Sequence, residues 1–458
     1  MAKPTATFRC AECGWTAAKW VGRCGECQAW GTVEEVGAAR PTITKATATT
    51  SPAVPIAQID VTSAAARSTG IPEFDRVLGG GFVPGAVLLL AGEPGVGKST
   101  LLLAVAHRWA STNNTALYLT GEESAAQVRL RAERIDALAD TLYLAAETDL
   151  GSALAQVEKV NPSLLVVDSV QTITSGEVDG VGGGVTQVKE VAASLIATAK
   201  ERGMTTVIVG HVTKDGSVAG PRALEHLVDV VLHFEGDRHG PLRLVRAVKN
   251  RYGPADEIGC FELTESGIEG LADPSGLFLG NRQNPASGTA VTVAMEGRRQ
   301  LIAEVQALIA PTNAPQPRRV TSGLDSARTA MLLGILERRA QIKTSTADCF
   351  VATVGGVKLT EPATDLATAL AIVSSVRDTP LPANLVVLGE LGLSGELRPI
   401  TSLDRRLSEA ARLGFTDAIV PATDKKLQAP KGMRIRQVRT IAEAITAARS
   451  TQETEPTF

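Results

Sequence analysis

Nine consecutive residues constrain this chain more than anything else in it: Gly92, Glu93, Pro94, Gly95, Val96, Gly97, Lys98, Ser99 and Thr100 fit the pattern G-x-x-x-x-G-K-[ST] in full. The pattern lies between an apolar run, residues 86–91, that reads as a buried strand and a periodic stretch, residues 99–110, that reads as a helix. Strand, glycine-rich turn and helix N-terminus in that order make a phosphate site. Gly95 and Gly97 let the backbone wrap so that successive N–H groups face phosphate oxygens, Lys98 reaches the β- and γ-phosphates, and the Ser99 hydroxyl is suited to Mg²⁺. ATP with Mg²⁺ is the expected ligand.

The surroundings agree with that reading. Strand-like residues 116–120, 164–168 and 205–209 alternate with helical patterns over 124–137 and 188–202. Such alternation predicts a mostly parallel sheet covered on both faces, with ligands at the carboxyl ends of its strands. Asp168 closes the fully apolar strand Leu164, Leu165, Val166, Val167, where an NTPase places the acid that holds Mg²⁺ through its water shell. Hydrolysis also needs a group to polarise the attacking water. Glu122 and Glu123 follow a strand beside the P-loop, and Glu122 is the preferred general base. The plainer alternative is a helix N-terminal pair complementing the dipole.

Of six cysteines, four fall within the first 27 residues, as Cys10-x2-Cys13 and Cys24-x2-Cys27. Two such knuckles bite one ion in a tetrahedral S4 site, the geometry of structural zinc. A unit this small cannot fold on an apolar core, so metal affinity would supply most of its folding energy. Disulfides or redox pairs are the alternative, disfavoured by a reducing compartment and by the lack of a βαβ pattern around them. Trp15, Trp20 and Trp30 share this segment with Arg9, Lys19 and Arg23. Two roles suit them: shielding the metal, which comes first because a ribbon has little else to exclude water, or stacking against bases. Cys260 and Cys349 stand alone in apolar surroundings and read as buried thiols.

Residues 37–57 are rich in Ala, Thr, Ser and Pro without periodicity, as a tether would be. The formal charge of -3 advertises no global field for nucleic acid, so any such contact must be local. The apolar runs 86–91 and 385–388 are far shorter than the ~18–20 residues of a membrane span, and no apolar targeting segment opens the chain. No membrane contact and a cytoplasmic location are expected.

At this point the chain resembles a known family, bacterial RadA, also called Sms. The resemblance rests on the four-cysteine ribbon, the RecA-type P-loop core and the run Lys249, Asn250, Arg251, Tyr252, Gly253, a tyrosine variant of the motif K-N-R-F-G. It rests too on a C-terminal region similar to the Lon protease domain. The implied fold class is α/β: a RecA-like P-loop ATPase core with an N-terminal zinc ribbon and a C-terminal Lon-protease-like α+β domain. Implied boundaries are 1–36 for the ribbon, 37–58 for the tether, 59–272 for the ATPase and 273–458 for the Lon-like domain with a polar tail.

The likeness carries further expectations. It implies a hexameric, DNA-stimulated ATPase that assists homologous recombination by branch migration on single-stranded DNA and branched intermediates, with RecA recombinase as a partner. Lys249 and Arg251 are implied to reach the ATP site of the neighbouring subunit, where cations stabilise charge on the γ-phosphoryl. His211 falls in the sensor region, and the glycine-rich residues 176–184 lie where RecA-type proteins place a DNA loop. Lys189, Lys214 and Arg222 are candidate backbone contacts.

In the Lon-like region helical 326–340 and 362–376 are expected with strand-like 288–295 and 350–354. Lon-type peptidases place a serine after Gly-Pro and a lysine near Leu-Pro-Ile-Gly-Gly. Here Ala363 stands at the serine position and Asp404 at the lysine. A methyl group and a carboxylate cannot perform acyl transfer, so an assembly and DNA-binding scaffold is expected. Thr364 with Lys358 is a remote substitute dyad. The pairs Arg298–Arg299, Arg318–Arg319 and Arg405–Arg406 are suited to phosphate contact. An ATP-dependent protease and a nucleotide-switched scaffold of the clock-protein type are the rival functions.

Overall fold

Residues 7–36, 53–59, 61–211, 223–236, 240–279, 285–424 and 427–452 are described by the structure, a computed structural model. Contacts divide the chain into one unit up to Asp60 and a second from Val61 onward. Lys214 and Arg222, most of the tether and the end of the polar tail lie outside the described residues.

The first unit is built on β1 (Thr7–Cys10), β2 (Thr16–Ala17) and β3 (Val33–Val36), antiparallel in the order β2-β1-β3. Each Cys-x2-Cys pair closes the same turn. Gly14 N–H donates to Cys10 O at 3.0 Å and Gln28 N–H to Cys24 O at 3.2 Å, and both residues take positive φ, 75° and 64°. Its buried apolar core consists of Cys10, Cys24 and Val33 alone among the described residues, too little to offset chain entropy without a metal.

The second unit opens with α1 (Pro72–Leu78), then β4 (Val87–Gly92), α2 (Lys98–Ala110), β5 (Ala116–Thr120), α3 (Ala125–Arg134), β6 (Leu142–Ala146), α4 (Leu150–Val160), β7 (Leu164–Asp168), α5 (Val185–Arg202) and β8 (Thr205–His211). Four more strands follow: β9 (Val230–Gly236), β10 (Leu242–Asn250), β11 (Ile258–Thr264) and β12 (Gly267–Gly270). They form a nine-stranded sheet in the order β12-β11-β10-β9-β4-β8-β7-β5-β6, parallel from β9 to β6 and antiparallel from β9 to β12. Strand alternation divides the core: Leu88 and Leu90 pack with α1 and α2 on one face, Val87 and Leu89 with α4 and α5 on the other.

The sequence reading missed β6 and α4. The edge strand β6 is only partly buried, so no continuous apolar run marks it. Helix α3 stops at Arg134, three residues before the expected end, because the chain turns through Asp136 at φ 52°. Helix α5 starts at Val185, earlier than expected, with Gly184 as its N-cap.

The rest of the unit comprises α6 (Ser275–Phe278), β13 (Thr289–Glu296), β14 (Arg299–Pro311), β15 (Arg319–Ser322), α7 (Ser326–Arg339), β16 (Ala347–Thr353), α8 (Asp365–Arg377), β17 (Leu385–Val387), β18 (Glu390–Leu391), β19 (Leu397–Arg398), α9 (Leu403–Arg412), β20 (Asp417–Pro421), β21 (Arg434–Val438) and α10 (Ile441–Gln452). A seven-stranded mixed sheet, β15-β16-β14-β13-β17-β20-β21, packs α7, α8 and α10 on one face and α9 on the other.

The two sheets are tied at the β13–β14 hairpin. Arg299 is buried, forms an ion pair with Glu73 of α1 and donates to Ala272 O at 2.7 Å. Gly297 takes φ 59°, and a Cβ there would lie 1.8 Å from Asp256 O. Arg299 therefore corrects the phosphate-contact reading: its guanidinium is spent on a buried carboxylate and backbone carbonyls. Arg406 is likewise spent within the fold, on a partly buried carboxylate and backbone carbonyls. It is fully buried, bonded to Glu361 Oε1 and Oε2 at 2.5 and 2.7 Å and to Val293 O at 2.7 Å. Cys260 and Cys349 are buried free thiols, as expected.

Candidate ATP site and metal centre

The carboxyl ends of β4, β8, β7 and β5 bring the chemistry together. Mostly apolar strands fill the sheet interior, and the charged side chains gather where these strands leave it. Gly92 ends β4 against β9, where a Cβ would meet Phe234 O at 2.4 Å. The loop then turns through Gly95 at φ 79° and Gly97 at φ 110°, the latter capping α2. Glu93, Pro94 and Gly95 are exposed, while Val96 is held from behind by Arg243, whose Nε donates to Val96 O at 2.9 Å. Lys98 is buried and folds onto the loop, donating to Gly92 O and Glu93 O, each at 2.9 Å. Burial lowers its pKa, against the opposing pull of Asp168 and Glu122. Ser99 and Thr100 open the first turn of α2, half-buried.

Two strands away from β4, Asp168 ends β7. Its Oδ2 accepts a 2.6 Å hydrogen bond from the hydroxyl of Tyr118, a fully buried residue of β5, while its buried Oδ1 has no partner. Burial first, and the neighbouring Asp168 second, raise the Tyr118 pKa and keep the phenol protonated as a donor. A carboxylate with one oxygen fixed and the other unsatisfied fits a hydrated divalent cation. With Ser99 on the adjacent helix, these are the residues that would hold Mg²⁺.

The neighbouring acids divide. Glu122 turns toward Asp168: its Oε1 accepts from Ser169 Oγ at 2.6 Å and lies 2.9 Å from His211 Nε2. The His211 hydrogen bond, helped by Ser169 and Lys98 against partial burial, depresses its pKa to about 2. Glu123 turns away, paired with Arg131 at 2.5 Å. Thus Lys98, Glu122, Asp168 and His211 converge on one site.

Lys249 and Arg251 do not join them. Lys249 Nζ donates to Glu225 O and Val228 O, each at 2.8 Å, and Arg251 pairs with Asp229 at 3.2 Å. Asp229 also accepts from Val87 N–H at 3.0 Å, so both cations lie near the start of β4, about 16 Å of strand from Gly92. Sequence reasoning missed Tyr118, Ser169 and Arg243. A lone hydroxyl in the buried run Ala116, Leu117, Tyr118, Leu119 was the available signal for the first. No local signal marked Arg243, 147 positions from Val96.

In the ribbon the four sulfurs lie within 4.8 Å of one another, with Cys10–Cys27 at 3.7 Å and Cys13–Cys24 at 3.5 Å. Tetrahedral zinc with ~2.3 Å bonds requires sulfurs ~3.8 Å apart, so the donor set fits zinc. The Thr32 hydroxyl, 3.3 Å from Cys10 Sγ, leads the groups that lower the Cys10 pKa to about 6. The tryptophans part company. Trp15 lies over the second knuckle, where a Cβ at Gly25 would stand 2.7 Å from its ring. Trp20 and Trp30 are exposed, at 64% and 74%.

Comparison with known proteins agrees with this architecture. Residues 8–35 match the rubredoxin metal binding domain, residues 53–217 the AAA domain, and residues 334–424 subunit ChlI of Mg-chelatase. DNA repair protein RadA of Mycobacterium tuberculosis is 53% identical over 450 residues, spanning 97% of this chain and 93% of the relative. The chain belongs to the RadA family. DNA repair protein RadA of Mycolicibacterium smegmatis is 54% identical, covering 96% of each chain, and that of Streptococcus pyogenes serotype M1 is 44% identical, covering 98% of this chain and 99% of its own. The expected combination of P-loop ATPase core, four-cysteine zinc ribbon and Lon-like C-terminal region holds. Among the described residues no helix is long and apolar enough to cross a membrane.

Proposed function

We propose that this chain is a DNA-dependent ATPase that assists homologous recombination and DNA repair, driving branch migration on single-stranded DNA and branched intermediates as a hexameric ring beside the RecA recombinase. In this reading the P-loop and Lys98 bind the triphosphate of ATP, and Glu122 takes the proton of the attacking water. Ser99 and, through water, Asp168 would hold Mg²⁺, which would supply neutralisation of phosphate charge. Lys249 and Arg251, remote from their own site, serve the neighbouring subunit's.

One observation carries the DNA dependence. His211 is the last residue of β8 and bonds the carboxylate of Glu122. The candidate DNA contacts Lys214 and Arg222 follow it three and eleven positions later in the chain. A strand that DNA pulls on therefore ends at the group holding the proposed base. ATP turnover with and without single-stranded DNA, together with fork migration on a three-strand substrate, tests this. Stimulation and migration are expected; turnover indifferent to DNA would refute it.

The Lon-like region acts in this reading as a scaffold without peptidase activity. Ala363 is buried in the turn before α8, Asp404 is exposed in the first turn of α9, and Glu361 nearby is committed to Arg406. No hydroxyl–amine pair replaces the dyad at these positions. Casein degradation in the presence of ATP would overturn the scaffold role.

A further inference from the structure

The ribbon's exposed tryptophans form a paired feature. A Cβ at Gly22 would stand 3.5 Å from the Trp20 ring and 3.8 Å from the Trp30 ring, so both rings approach the same residue, which has no side chain to part them. The Arg23 guanidinium lies 5.7 Å from the centroid of Trp30 and is fixed by a 3.0 Å bond from its Nε to Gln28 O. Metal shielding does not explain these rings, because Trp15 already covers the second knuckle.

We propose that Trp20 and Trp30 form a stacking site for the unpaired bases of single-stranded nucleic acid, an inference that rests on the DNA-acting reading above. Three observations select this occupant. Among the described residues of the ribbon, no other large apolar side chain is exposed, so the pair offers flat π-faces without the aliphatic surround of a protein-docking pocket. Lys19 and Arg23 bracket the Trp20–Gly22 stretch, placing cations where a sugar–phosphate backbone would run beside stacked bases. The ribbon's total charge is nevertheless not basic, with three cations against four carboxylates between residues 8 and 35. Stacking, rather than counterion release, must then supply the affinity, and its contribution must persist in high salt.

The test uses the full chain with zinc bound. Binding of a short oligo-dT and of an abasic oligomer of equal length is measured at low and high salt. The double variant Trp20→Ala/Trp30→Ala is expected to weaken oligo-dT binding in high salt by roughly 5- to 150-fold per ring lost, and to leave the abasic oligomer unchanged. The pair Trp20→Phe/Trp30→Phe, which keeps a stackable ring, should retain most of the affinity. Metal analysis must return the same zinc content in every variant; if the alanine pair loses zinc, the phenylalanine pair and the ratio of oligo-dT to abasic binding decide. Equal oligo-dT affinity in wild type and double variant, or equal weakening for both oligomers, overturns the proposal while DNA-stimulated turnover stays intact. Absence of any DNA binding or stimulation in the wild type would instead remove the reading on which it rests.

Discussion

Tyr118 and Asp168, fifty positions apart, meet through a 2.6 Å hydrogen bond that leaves Asp168 Oδ1 as a buried acceptor without a partner. The strand register explains the meeting: Thr120 pairs with Asp168 across β5 and β7, and Tyr118 sits two residues back, on the same face of the sheet as Thr120. One oxygen is immobilised by the phenol, and the carboxylate acts electrostatically on Lys98 of the P-loop.

Replacing Tyr118 by phenylalanine removes that donor and leaves a charged oxygen unsatisfied. The variant should require more Mg²⁺ for half-maximal ATP turnover and lose roughly 10- to 100-fold in turnover at limiting Mg²⁺, equivalent to about 1.5–3 kcal/mol for a bond to a charged group. A Mg²⁺ titration of ATPase rate checks this; an unchanged titration would show that Tyr118 only fills space.

Glu122→Gln should keep ATP binding and cut turnover by about 10²- to 10⁴-fold. A pH effect accompanies it. The folded-state pKa of Glu122, about 2, lies below its ordinary value of 4.5, so its contacts with His211 and Ser169 stabilise the fold fully above pH 4.5. That contribution falls away as pH drops toward 2. Urea midpoints of wild type and Glu122→Gln should therefore differ near neutrality and converge below about pH 2.

Arg251→Ala should leave ATP binding largely intact and abolish coupled fork migration. Its own pair with Asp229 is exposed on the Arg251 side, at 58%, so the cost to the fold should stay within about 1 kcal/mol. Branch migration at the wild-type rate would remove its proposed role in the neighbouring site.

Cys24→Ser should release zinc and unfold the ribbon, since Cys10, Cys24 and Val33 alone cannot hold it. The unit from Val61 onward should melt as before. Metal analysis combined with a proteolysis map would detect the opposite outcome, in which the ATPase core becomes protease-sensitive as well.

Arg299→Ala leaves the Glu73 carboxylate, in the junction between the two sheets, to the half-exposed Arg76 at 3.4 Å and the Cys260 N–H at 2.9 Å. Losing one partner of a buried pair costs up to roughly 3–5 kcal/mol, and the remaining partners of Glu73 keep the loss below that ceiling. The urea midpoint should fall accordingly, while zinc content stays constant.

What the amino-acid order determined by itself was local. The phosphate loop is nine neighbouring residues, and the zinc knuckles are two Cys-x2-Cys turns, so spacing alone specified which atoms would converge. The apolar run ending in Asp168 announced its place at a strand end for the same reason. The tertiary structure decided everything that depends on distant strands meeting in register. Glu122 rather than Glu123 faces the site because Ser169 and His211, 47 and 89 positions away, lie at the ends of β7 and β8. Arg299 and Arg406 look like surface cations in the sequence, yet each is itself buried and pairs with a carboxylate 226 or 45 positions away. Charge is visible one residue at a time, whereas burial belongs to the packed sheet, and only burial decides whether an arginine serves a ligand or the fold.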